Sequence, residues 1–253
     1  MDFSSLPDDC VSEILSLTSP HDVGQMSTIS WEIRTIVDSN IVWERFLPSY
    51  YHQIVSRSVS PVSFSTKKEL FLRLSDTPLL LDQGHLSFVL DRKTGKICYM
   101  LGARLLEITW SGTPIHCEWI STPLSRFPEV CDLMAPFGFE IRGKLESRLL
   151  SPNTTYVAYL IFIFGPGLNF IPAISVRVAG KNSGNGPKDK GETVSLQTDP
   201  PRKMTSGWRE IQMGEFFNSG QGEDVVEMTL TTIKAHPGCH LAVKGIELRP
   251  KVG

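Results

Sequence analysis

Paired cysteines are the first thing this 253-residue chain lacks. Its five cysteines, Cys10, Cys98, Cys117, Cys131 and Cys239, are odd in number, scattered, and nowhere spaced as CxxC. That excludes a disulfide-stapled framework and fits reduced thiols in cytoplasm and/or nucleus. Long apolar runs are missing too. The longest, Tyr156–Phe164, falls far short of the roughly 20 residues that span a bilayer as a helix, and no basic-then-apolar leader opens the chain. Basic excess is absent: 25 Lys and Arg against 27 Asp and Glu leave a net charge of −2. Direct nucleic-acid binding, which runs on phosphate neutralisation, is not expected. No G-x-S-x-G, H-E-x-x-H or catalytic-cysteine signature appears. His236-Pro237-Gly238-Cys239-His240 and the distant His116-Cys117 do not make the spaced ligand pairs of structural zinc, so they read as surface histidines. Neither metal nor cofactor is expected. Gly180–Lys188 is Gly-rich with lysines, but it lacks phosphate-loop spacing and reads as a mobile loop.

What the chain does carry begins at its N-terminus. Pro7 suits a first helical turn, and Asp8 and Asp9 suit the same end of the helix dipole. Val11, Ile14, Leu15 and Thr18 then follow the i, i+3, i+4, i+7 rule. Ser19-Pro20 with Asp22 starts a second helix, with Ser19 as its cap. Val23, Met26 and Ile29 give it a shorter stripe. Ile33, Ile36 and Val37 give a third, stopped by Asp38-Ser39-Asn40. Three helices this short bury little core, so they imply a partner surface.

The order Leu6-Pro7, amphipathic run, Ser19-Pro20-His21-Asp22, then Asp38-Ser39-Asn40-Ile41-Val42-Trp43 resembles an F-box. That resemblance implies a module docking onto a Skp-type adaptor, and through it a cullin. It implies that Leu6, Pro7, Ile14, Leu15, Val23, Ile29, Ile36 and Trp43 are the adaptor-binding residues. Residues 1–48 are then the F-box, and 49–84 a connector with a short helix near Thr66–Leu74.

From Leu86 the period changes from about 3.6 to 2. Leu86, Phe88 and Leu90, a Lys93–Lys96 turn, then Ile97, Tyr99 and Leu101 read as a hairpin. Leu106, Ile108 and Trp110 share one face of a further strand. Phe139, Ile141, Leu145 and Leu149 alternate with Glu140, Arg142, Lys144, Glu146 and Arg148 along a long strand. Tyr156–Phe164 is apolar on both faces, as a central strand should be. Ile174/Val176/Val178, Val194/Leu196, Val226/Met228/Leu230 and Leu241/Val243 add further strands. Many short strands between Gly/Pro turns predict an antiparallel β-sandwich or jelly roll over 85–251.

Within that region stand Ser87–Asp91 with Lys93–Arg104 and Ile108-Thr109-Trp110. Glu118-Trp119-Ile120, Ser125–Val130 and Phe139–Lys144 follow. Gly207-Trp208, Gly214–Phe217 and Val243–Pro250 complete the series. Together they resemble the phloem protein 2 family, the plant lectin domain that includes the tobacco agglutinin. The resemblance implies recognition of N-acetylglucosamine oligomers or N-glycan cores, by aromatic stacking on sugar C–H faces and acidic or amide contacts to hydroxyls. It implies carbohydrate-binding roles for Trp110, Glu215 and Glu223. The family's second tryptophan falls at Cys117, which cannot stack, and Trp119 is the nearby substitute.

The chain is therefore read as a multidomain α + β adapter, a small helical F-box followed by a lectin-like sandwich. As a non-catalytic substrate-recognition subunit of a Skp-cullin-F-box ubiquitin ligase, it would recruit a glycoprotein or other protein target. The competing reading is a stand-alone N-acetylglucosamine-type lectin-like stress protein with a degenerate F-box. No membrane partner is expected under either.

Overall fold

The structure is a computed structural model that describes residues 6–135, 138–164, 174–180, 192–194, 202–204, 206–221, 225–232 and 239–251. The chain divides into two compact units. Met1–Asp82 and Phe88–Cys98 make one, and Gln83–Ser87 and Tyr99–Gly253 the other.

The first unit is built of short helices: α1 (Asp8–Ser16), α2 (Pro20–Met26), α3 (Trp31–Val37), α4 (Asn40–Glu44), α5 (Tyr51–Ser56) and α6 (Lys67–Asp76). Their starts are chemically marked. Ser19 Oγ accepts from Asp22 N at 3.1 Å, Ser30 Oγ from Ile33 N at 3.2 Å, and Thr66 Oγ1 from Glu69 N at 3.1 Å. Each cap satisfies a donor that the first turn leaves unpaired. The chain pauses at Asp38-Ser39, where the sequence predicts a stop, then restarts as α4. The Asn40 Oδ1 acceptor takes the amide of Lys67 at 2.8 Å. Residues 49–84, expected as a connector, supply α5, α6 and the strand β1 (Leu79–Leu81). Ile54, Leu70, Phe71 and Leu74 of that stretch are buried with Val11, Leu15, Val23, Val37, Val42, Trp43 and Phe46. The helices thus share one core, which none of them could form alone.

Strands β2 (Leu86–Leu90) and β3 (Ile97–Gly102) form the expected hairpin. Asp91 N donates to Lys96 O at 2.7 Å, and Gly95 takes the left-handed backbone of its turn (φ 71°).

The second unit adds β4 (Glu107–Ile108), β5 (Cys117–Ile120), β6 (Val130–Ala135), β7 (Glu140–Glu146), β8 (Thr154–Phe164), β9 (Ile174–Gly180), β10 (Glu192–Val194), β11 (Arg202–Lys203), β12 (Arg209–Asn218), β13 (Val225–Thr232) and β14 (Cys239–Pro250). Within this unit one sheet runs β3-β14-β8-β12-β11, with β6 pairing the first half of β14 and β5 pairing β6. The other runs β10-β9-β13-β7-β4. These pairings are all antiparallel. The two sheets face each other. A Cβ built on Gly143 of β7 would stand 3.1 Å from Ile246 of β14 and 3.4 Å from Met228 of β13. Tyr156, Ala158, Leu160 and Phe162 line the inner face of β8, all at most 1% exposed. Val157 and Ile161 are buried on its other face, so β8 lies in mid-sheet between β14 and β12.

Two expectations change. Trp110 is not on a strand: β4 ends at Ile108, and Trp110 takes a left-handed backbone (φ 73°). The long strand through Phe139 stops at Glu146, and Ser147–Leu149 coil into a single tight turn that removes Arg148 and Leu149 from the alternation. Leu196, expected in a strand, lies outside the described residues, as do residues 181–188 of the expected loop.

Candidate functional site

The helical unit presents apolar side chains that its own core does not use. Of the residues expected to meet an adaptor, Leu6 is 41% exposed, Ile14 40% and Ile29 62%. Pro7 is exposed and Ile36 half-buried. Leu15, Val23 and Trp43 are buried. The indole of Trp43 packs on Phe46 and Phe71, with centroids 5.8 and 5.2 Å away, and its Nε1 donates to Val37 O at 2.6 Å. A side chain so enclosed holds the unit together and has no face left for a partner. The structure adds three exposed residues that the stripes miss: Leu17 at 78%, Trp31 at 77% and Ile41 at 62%. Their signal lay in helical phase. Trp31 is two residues before the Ile33 stripe and Ile41 directly precedes the buried Val42 and Trp43, so both must point away from the core. Trp31 borders a groove of about 510 Å³ with Ser27, Thr28, Ser30, Arg34 and Lys68.

In the sandwich the chain leaves β4 and wraps tightly before β5. Ser111 N donates to Ile108 O, Thr113 N to Trp110 O and His116 N to Thr113 O, at 3.1, 2.9 and 2.8 Å. This wrap holds Trp110 half-buried. Its Nε1 donates to Gly138 O at 3.3 Å, and its ring meets His116 edge-on with centroids 5.4 Å apart. A bulky residue in the left-handed region costs about 1–3 kcal/mol, a strain that concentrates at binding sites. Trp119 stands on β5 opposite Cys131. The Arg104 guanidinium lies 3.8 Å from its ring centroid and pairs with Glu129 at 2.7 Å. One face of that indole is thus already stacked by a cation. Cys117 shares the strand side of Trp119 and is buried, as is Cys131, with their thiols hydrogen-bonded. Burial pushes both thiols up.

Glu215 is elsewhere. It faces Val157, which faces Arg249, whereas Trp119 reaches β14 through Cys131 at Val243. Six residues of strand separate those levels, about 20 Å. The Glu215 carboxylate is bonded to Lys251 Nζ at 2.7 Å. Glu223 lies outside the described residues, with His236. His240 pairs with Asp132 at 2.7 Å. Among the described residues no group of three or more His, Cys, Asp and Glu is placed to hold a metal ion.

Residues 96–250 match the phloem protein 2 family, and residues 3–45 match the F-box domain. The chain belongs to the phloem protein 2 family and carries an F-box. Its similarity to plant relatives spans both parts. It is 38% identical to the F-box protein At2g02240 of Arabidopsis thaliana, over 98% of this chain and 80% of that protein. It is 36% identical to the F-box protein PP2-B10 of the same plant, over 98% and 94%. Among solved structures, a family 35 carbohydrate binding module from Clostridium thermocellum superposes with a TM-score of 0.33 at 11% identity, over 60% of this chain and 96% of that one. That likeness is too loose to bear on a ligand. F-box domains bind Skp-type adaptors, and an F-box joined to a phloem protein 2 domain is the arrangement of a substrate-recognition protein.

Proposed function

We propose that this protein is the substrate receptor of a Skp-cullin-F-box ubiquitin ligase, and that its sandwich recruits a glycoprotein or other protein target. The observation that carries this reading is the F-box unit's exposed apolar set: Leu6, Ile14, Leu17, Ile29, Trp31 and Ile41. A unit that buries a shared core yet leaves these side chains wet is built to lose them into a partner. Ubiquitin transfer would be catalysed by other subunits. This chain would contribute proximity, holding target lysines near a charged conjugating enzyme at raised effective concentration. On the sandwich, Trp110 with His116 and the exposed Ile115 would offer the stacking surface for a sugar. Trp119 would contribute only the ring face that Arg104 leaves open. The ligase would work in cytoplasm and/or nucleus.

Co-expression with a plant Skp-type adaptor, followed by size-exclusion chromatography, tests the first half. A stoichiometric complex is expected, weakened by more than about 2 kcal/mol when Leu6→Ala and Ile14→Ala are combined. A monomer that ignores the adaptor would overturn it and favour the stand-alone lectin. For the second half, N-acetylglucosamine oligomers should bind the wild type and not Trp110→Ala. Equal binding by both would remove Trp110 from the site.

A further inference from the structure

The face of β14 turned away from the second sheet holds a charged cluster that the proposed function leaves unused. Glu247 pairs with Tyr159, between the inward-facing Ala158 and Leu160, and so turns outward; Lys244, left unpaired by the register shift between Val243 and Gly245, lies within its electrostatic reach. Trp119 is on the other side of the sheet, since it pairs with Cys131 and Cys131 with Val243.

Lys244 is only 7% exposed, and its ammonium stands 5.2 Å from the centroid of the buried Trp208 ring. Trp208 Nε1 donates to Leu124 O at 2.8 Å, which ties the β5–β6 loop down over this face. Two residues on, Arg126 Nη1 donates to Ser87 Oγ at 3.0 Å. His85 O accepts from Gly102 N, so Ser87 stands across from Met100, and Met100 pairs with Glu247. The loop therefore lays Arg126 beside the row that Lys244 and Glu247 share.

The carboxylates nearby are already engaged. Glu247 Oε2 accepts from Arg249 Nε and Nη2 at 3.0 and 2.5 Å. The buried Glu210 pairs with Arg249 Nη1 at 2.8 Å and more loosely with Arg202 at 3.6 Å. Arg249 itself lies over the Tyr159 ring, 4.7 Å from its centroid. Among the described residues, no carboxylate is within ion-pair distance of Lys244 or Arg126. Burial, and next the Arg126 charge, hold the Lys244 ammonium below its ordinary range, with Glu247 opposing. Burial likewise lowers Arg126, against the pull of Glu247. A buried ammonium held near a second cation is costly, and an arriving anion relieves both the desolvation and the repulsion.

We propose that Arg126 and Lys244 form an anion-recognition site on this face of the sandwich, taking a carboxylate, sulfate or phosphate ester on a small polar ligand. The guanidinium fork would fix the anion's orientation and the ammonium would add a point charge. A neutral sugar would gain ordinary hydrogen bonds from them but no charge pairing. The site rests on neither Trp110 nor Trp119.

Calorimetric titration of the full chain tests it, using galacturonic acid, N-acetylglucosamine 6-sulfate and inorganic phosphate, with galactose as the neutral control. At least one anionic probe is expected to bind, and the tightest identifies which anion the site prefers. Its affinity should fall about tenfold or more in Arg126→Gln and in Lys244→Met. Arg126 is exposed by area and its loop is also held by Trp208, so its variant should still fold and decides the matter even if Lys244→Met does not. No binding of any anionic probe at about 10 mM, or binding that survives Arg126→Gln, overturns the proposal.

Discussion

Replacing Trp43 with alanine separates the residues that build the F-box unit from those proposed to face its partner. The indole is 3% exposed, packs against Phe46 and Phe71, and donates to Val37 O at 2.6 Å. Its removal opens a cavity between α4 and α6 and takes away the Val37 carbonyl's indole donor. Large aromatic-to-alanine changes in a core cost about 3–5 kcal/mol. A single domain has only about 5–15 kcal/mol in all, and in a unit this small each kcal/mol is worth roughly 4–8 °C. The helical transition of the full chain, followed by far-UV circular dichroism, should therefore drop by about 12 °C or more. Trp31→Ala is the matched control. That ring is 77% exposed, so its loss should move stability by no more than about 0.5 kcal/mol. The two tryptophans should split cleanly, Trp43 on stability and Trp31 on binding. A Trp43→Ala protein that melts like the wild type yet loses the adaptor would refute the reasoning and put the indole in the interface.

Asn218 is 5% exposed and its Nδ2 donates to the carbonyls of Ser147, Leu150 and Ser151 at 3.1, 3.3 and 3.0 Å. Asn218→Ala should cost about 2–3 kcal/mol of sandwich stability by chemical denaturation, because buried acceptors are left unmade. Gly245→Ala should prevent folding to soluble protein, since its Cβ would lie 2.0 Å from Leu101 O, backbone that cannot step aside; soluble expression at wild-type yield would contradict that packing. Timed alkylation at neutral pH should label Cys10, which is exposed, while Cys117 and Cys131 stay protected until unfolding, as burial keeps both protonated. Fast labelling of Cys131 in the folded chain would contradict the placement of β6.

The sandwich was legible where one strand's own side chains carried the signal. Tyr156–Phe164 is apolar on both faces because β8 has a strand on each side and both its faces are covered. The hairpin from Leu86 to Leu101 was legible because alternation and a Gly-containing turn agree. What could not be read was the turn at Trp110. Alternation with Leu106 and Ile108 continues through the letter sequence, but three successive backbone hydrogen bonds from Ser111 to His116 end the strand at Ile108. Nothing in a bulky residue's identity announces a left-handed backbone.

Which apolar residues stay exposed was half legible for a related reason. The helical stripes put Leu15 and Val23 together with Ile14 and Ile29, since in a short amphipathic helix core and interface residues have the same chemistry. Only packing tells them apart. Trp43 is enclosed by Phe71, which comes 28 residues later from a stretch that reads as connector, so its fate depends on α6 and cannot be settled within α4. The residues that break phase, Leu17, Trp31 and Ile41, are the better guide to what stays exposed. A large apolar side chain held out of the stripe serves no core. On the sandwich the same logic applies to charge: Arg126 and Lys244 are ordinary basic residues in the sequence, and become a site only because Trp208 and Ser87 draw the β5–β6 loop across β14.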